Sequence, residues 1–219
     1  MFFRVSLATL LLGVFLIPSA SFGAALEFTD APVTHDSQLS LGFVFTTTEA
    51  VSVTALGYYD ENKDGFLTDH EVGIFDTSGS LLVFSVLNMG TDSSLDGHYR
   101  YTAISPISLA GNSSYIIAAT TAGLLDGIAY GRKDETLTGF VVDPRISVAS
   151  DAARFLYQGD NVLRVPDQMF GYTIYGGPNF VLAPAEASSV PEPASFAFVL
   201  GGVAGLVFVS RRKRPTVRE

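Results

Sequence analysis

Apolar and polar residues alternate with a period of two along much of the chain. Val51, Val53 and Ala55 alternate with Ser52, Thr54 and Leu56, and Tyr99 and Tyr101 with His98, Arg100 and Thr102. A period of two is that of a strand with one face buried. Further short apolar runs lie at Leu41–Phe45, Val72–Phe75, Leu81–Leu87, Tyr115–Ala119, Val141–Val142, Met169–Tyr175 and Asn179–Leu182, each bounded by Asp, Asn, Gly, Ser or Pro. Between Leu26 and Val190 no stretch keeps a helical period for more than about two turns. Many short strands separated by turn signals predict an all-β domain, a jelly-roll-like β-sandwich spanning residues 26–183.

Two longer apolar segments break this pattern. At the start, Arg4 precedes an apolar run from Val5 to Ile17, followed by Pro18 and the small residues of Ser19 to Ala25. A short apolar run between a basic residue and a small-residue site predicts a signal peptide over residues 1–25, cleaved within Ser21 to Ala25. At the other end, residues 184–190 read as a linker. Pro191, Glu192 and Pro193 follow, then an apolar stretch over 194–210, then Arg211, Arg212, Lys213 and Arg214. Those 17 residues reach the lower end of the ~17–25 needed for a transmembrane helix, and the basic cluster acts as a stop-transfer signal that keeps its end in the cytoplasm. Everything between the two segments is then outside the inner membrane.

The tail resembles the PEP-CTERM sorting signal of Gram-negative bacteria, over residues 191–214. The resemblance rests on Pro191-Glu192-Pro193, on an apolar helix containing Gly201, Gly202 and Gly205, and on the terminal basic cluster. It implies that an exosortase, a membrane protease-transferase, recognises the Pro-Glu-Pro motif and removes the tail. The protein would reside transiently in the inner membrane and then at the cell surface or in the extracellular matrix.

Charge and composition narrow the chemistry. The segment from Leu26 to Val190 holds 20 acidic and 7 basic residues, a charge of −13, which disfavours nucleic acid as a partner. With no cysteine in the chain, disulfide scaffolds, Cys-ligated metals and thiol nucleophiles are excluded. Between Leu26 and Val190 neither a G-x-S-x-G elbow nor an S-x-x-K motif is present, so the chain is expected not to be an enzyme. His35, His70 and His98 stand far apart in turn-like contexts and do not suggest a zinc site.

A second resemblance, covering roughly Gln38 to Leu182, is to an uncharacterised β-rich ectodomain family of exported bacterial proteins. It is carried by Leu56-Gly57-Tyr58-Tyr59-Asp60, Asp64-Gly65-Phe66-Leu67, His70-Glu71-Val72-Gly73-Ile74-Phe75-Asp76 and Gly177-Pro178-Asn179-Phe180. Phe75 stands where that family usually has Trp. The resemblance implies a sandwich fold and leaves the activity open.

The strongest local motif is Asp60 to Glu71, which satisfies D-x-[DN]-x-[DN]-G-x₅-E. As a calcium loop it would use the side chains of Asp60, Asn62, Asp64 and Glu71 and the carbonyl of Phe66 to bind Ca²⁺ weakly. The flanking segments read as strands rather than helices, and a turn-forming Asx-rich loop without an ion fits the same residues. Tyr58, Tyr59, Tyr99, Tyr101, Tyr172 and Tyr175 are either strand-core aromatics or stacking faces for a sugar. The expected function is a structural or interaction protein of the cell surface or the extracellular polysaccharide matrix, with exopolysaccharide as a partner. The alternative is a lectin-like carbohydrate-binding module, with calcium as a candidate cofactor.

Overall fold

The computed structural model describes residues 23–35 and 38–185. Most of the expected signal peptide, most of the linker, and the whole sorting motif, apolar stretch and basic cluster lie outside the described residues. Within them the protein is all-β, without a helix. The nine strands that carry the argument are β1 (Leu39–Thr47), β2 (Val51–Tyr59), β3 (His70–Asp76), β4 (Leu81–Leu87), β5 (Tyr99–Leu109), β6 (Ser114–Thr120), β7 (Ile128–Gly131), β8 (Ala153–Tyr157) and β9 (Pro178–Leu182).

Two antiparallel sheets dominate. One runs in the order Gly23–Ala24, β9, β2, β5, Ser94–Asp96; the other runs Gln168–Met169, β8, β1, β6, β3, β4. β7 forms a small separate sheet between Val33–Thr34 and Ile174–Tyr175. Alternation supplies the core: Phe43 and Phe45 of β1, Ile117 and Ala119 of β6, and Val72 and Ile74 of β3 are buried from the second sheet, and Leu56, Tyr58, Phe180 and Leu182 from the first. The two sets meet in one apolar cluster, where the rings of Phe45 and Phe180 lie 4.7 Å apart.

The simple alternation expected along β2 changes phase. Val51 and Val53 face the core, but Thr54 and Ala55 are both partly exposed, and Leu56 and Tyr58 then take the inward positions. A β-bulge against β5 causes the shift, since Val53 pairs with Ile107 while Ala55 pairs with Ala103. The extra residues on β5 include Pro106, which has no N–H to give to a ladder and suits a bulge.

The chain between β8 and Gln168 crosses part of the outward face of the second sheet, at Ser40, Glu71 and Gly73. The amide of Leu163 donates to Glu71 Oε2 at 2.7 Å and that of Arg164 to Ser40 Oγ at 2.9 Å. Gly73 makes room for this crossing, since a Cβ there would stand 2.8 Å from Leu163 Cδ2 and 2.9 Å from the Val83 carbonyl oxygen.

Candidate functional site

The Asp60–Glu71 loop leaves β2 and enters β3, and its geometry is fixed by internal partners. Asp60 is buried, and its Oδ2 accepts hydrogen bonds from the Gly65 amide at 3.0 Å and from Arg100 Nε at 2.6 Å. Arg100, on β5 and also buried, spends its remaining donors on the carbonyls of Thr91, Ser93 and Lys63. Gly65 adopts a left-handed φ of 106° and lies so close to Gly90 that a side chain would collide with that backbone. Phe66 exchanges backbone hydrogen bonds with Gly90, which occupies the Phe66 carbonyl at 2.8 Å.

Asp60, Asn62 and Asp64 line one shallow cleft together with Glu61 and Asp126. Glu71 is not among its walls; its carboxylate turns to the Leu163 amide on the outer face of the sheet. The four side chains of the calcium motif are thus divided between two places, and the Phe66 carbonyl is taken by the Gly90 amide. Among the described residues, no group of three or more His, Asp or Glu side chains is arranged to hold a metal ion.

A second buried pair closes the same loop. His70 is fully buried, its Nδ1 2.9 Å from the Thr120 carbonyl oxygen and its Nε2 3.0 Å from Asp126 Oδ2, so each ring nitrogen faces one oxygen. Asp126 also accepts from the amides of Leu67 and Thr68. Tyr58 stacks on the His70 ring at 3.7 Å and Phe66 meets it edge-on at 5.1 Å. The sequence reading placed His70 in an isolated turn context; its Asp126 partner lies 56 residues away, and no local spacing signals the pair.

Burial pushes the Asp126 carboxyl up, but the hydrogen bond from His70 and those from the Leu67 and Thr68 amides outweigh it and hold the group below the usual carboxylate range. The hydrogen bond from Arg145 does the same for Asp143. Burial, helped by the Lys63 charge, lowers His98. Each of these groups has a folded pKa below its unfolded value, so each contributes stability above the unfolded pKa that is lost as pH falls through the folded one. Burial raises Tyr58, Tyr59, Tyr99 and Tyr101, whose contributions are complete below about pH 10 and lost above it. The thermal midpoint is therefore expected to be highest near neutral pH, to decline gently below about pH 6.5 and to fall steeply below about pH 4. A midpoint that rises on acidification from pH 5 to 3 contradicts these assignments.

Of the six tyrosines considered as stacking faces, the structure divides four from two. Tyr58, Tyr59, Tyr99 and Tyr101 are core residues. Tyr172 and Tyr175 are partly exposed and join a run of rings with Tyr130, Phe155, Tyr157 and Phe170, neighbouring centroids lying 4.9–6.3 Å apart. The Arg132 guanidinium lies 5.8 Å from the centre of the Tyr172 ring. This surface rests on a small apolar cluster of Leu39, Leu41 and Ile128, against which Phe155 and Tyr175 pack. The missed members had a signal in the sequence: Phe155-Leu156-Tyr157 and Phe170-Gly171-Tyr172 are two F-x-Y triplets, a spacing that sends both rings to one face of an extended chain.

Residues 27–175 match a family described as a domain of unknown function, DUF4082. The chain belongs to this family. The match takes in the loop, both buried pairs and the aromatic surface of this DUF4082 domain, and it stops short of Gly177 and of β9. No curated protein matches the chain.

Proposed function

We propose that this protein is exported, sorted by an exosortase, and serves as a structural or interaction component of the cell surface or extracellular polysaccharide matrix of a Gram-negative bacterium. The observation that carries the reading is the ordered tail: Pro191-Glu192-Pro193, the apolar stretch over 194–210 and the Arg211–Arg214 cluster, behind a −13 segment that follows a signal-peptide pattern. The β-domain, read as a jelly-roll-like sandwich, is the part delivered. No catalytic step belongs to this reading, because His70 and Asp126 act on the fold from a buried position with their polar atoms engaged. In cell fractionation, the protein is expected in the washed exopolysaccharide and surface fraction. Exclusive recovery from the cytoplasm contradicts the proposal.

A second reading, a carbohydrate-binding module, is favoured by the exposed aromatic surface. Calcium dependence would require an ion to displace Arg100 from Asp60 and Leu163 from Glu71. We infer instead that Arg100 supplies the positive charge that the Asp-Asn-Asp-Gly motif would otherwise take from a metal.

A further inference from the structure

We propose that the surface formed by Tyr130, Phe155, Tyr157, Phe170, Tyr172 and Tyr175 binds a neutral, pyranose-based polysaccharide by ring stacking, a proposal that rests on the carbohydrate-binding reading and assigns its site. Three observations support it. The first is chemical. Aromatic faces carry the negative side of a quadrupole and attract weakly positive C–H groups, which a pyranose presents on its flat faces. Four of the six rings are tyrosines, whose phenol oxygens add hydrogen-bonding capacity at the ring edges, where sugar hydroxyls project.

The second is size. Tyr157 is 61% exposed and Phe170 47%, and the other four rings are partly exposed. With about 150–250 Å² available per aromatic side chain, the surface amounts to roughly 400 Å². A stable protein partner, including a second copy of this chain, covers about 800 Å² per side. A short run of sugar rings needs less, and since neighbouring rings are inclined by 45–84° they meet sugar units one ring at a time rather than as one flat platform.

The third is charge. The six ring residues carry none, and Arg132 beside the Tyr172 ring is partly engaged, Nε donating to the Gly171 carbonyl at 2.6 Å and Nη1 standing 3.4 Å from Glu135. With −13 on the segment from Leu26 to Val190, a polyuronate chain is repelled, so the surface selects an uncharged glycan.

Affinity electrophoresis of the native protein in gels cast with hydroxyethylcellulose, and in parallel with alginate, tests this. Retardation is expected in the neutral gel and not in the alginate gel. Tyr157→Ala combined with Phe170→Ala should weaken it about tenfold or more, whereas Tyr172→Phe, which keeps the ring, retains most of it. Both alanine sites are solvent-exposed, and an unchanged thermal midpoint verifies that the variant is folded. Absence of retardation in both gels overturns the proposal and the carbohydrate-binding reading with it. Retardation that the double variant leaves intact overturns only the assignment to these rings. Preferential binding to alginate, or a wild-type dimer that the double variant dissociates without any change in glycan binding, also overturns it.

Discussion

Replacing Arg100 with alanine is expected to lower the unfolding free energy by about 3–5 kcal/mol, the range for breaking a buried ion pair by removing one partner. Asp60 would keep the Gly65 amide and lose its short bond to the guanidinium, leaving a buried carboxylate without a counter-charge. The carbonyls of Thr91, Ser93 and Lys63 would lose their donor at the same time, so the loop entering β3 loosens together with the segment before β5. In a domain of this size the loss corresponds to a fall in thermal midpoint of roughly 10 °C. Arg100→Lys should recover only part of it, since a single ammonium cannot serve four acceptors held in a planar fork. Millimolar calcium added to both proteins separates the two readings of the loop. With Arg100 as the internal cation, the wild-type midpoint should not move. A wild-type gain of about 1 kcal/mol would restore the metal site. A loss below about 1 kcal/mol in Arg100→Ala would place the pair among weak surface contacts and contradict the structural role.

The second large effect is expected at Asp126. Asp126→Ala removes the acceptor for His70 Nε2 and for the amides of Leu67 and Thr68, leaving three donors at a mostly buried site. A cost of about 3–5 kcal/mol follows from the broken pair. Asp126→Asn should recover only part of the loss: its amide oxygen can accept from one backbone N–H, but it lacks the charge and the second acceptor oxygen. Denaturant unfolding measures the loss, and hydrogen exchange locates it. Protection should fall first at the Leu67 and Thr68 amides. Unchanged exchange at both, with a destabilised core, would mean that the cost is spread elsewhere.

Periodicity made much of this fold legible before any coordinates. The run Leu81–Leu87 and the dipeptide Val141–Val142 coincide with strands, and Leu41–Phe45 and Tyr115–Ala119 lie inside slightly longer ones. Other features depended on contacts distant in sequence. The phase change in β2 arises from a bulge set by the partner strand, so Ala55 is only partly buried although the local pattern places it in the core. The run Met169–Tyr175 is split into two short strands in different sheets, because Gly171 and the crossing Arg132 interrupt it. β7 and β8 are short and mixed in character, which hides them from a pattern that counts alternation.

The candidate site was legible to a different degree. The Asp60–Glu71 motif correctly marks a structured loop between two strands, yet motif spacing cannot reveal that Arg100, 40 residues later, reaches Asp60, or that Leu163, 92 residues after Glu71, takes its carboxylate. The tyrosines were visible as a set, but only the topology sorts Tyr58 and Tyr99 into the core and Tyr172 and Tyr175 onto the surface. The strand pairing of β8 with Gln168–Met169 brings the two F-x-Y triplets side by side.

Export of the module and its release from the sorting tail are decided together by the intact mass of the native protein recovered from fractionated cells. The expected species starts within Phe22 to Leu26, ends near Pro191-Glu192-Pro193, and is recovered from the surface or matrix fraction. Strand Gly23–Ala24, paired with β9, favours a start that keeps those two residues. A major species that still carries Arg211 to Arg214 would contradict the account and make the protein a permanently anchored one.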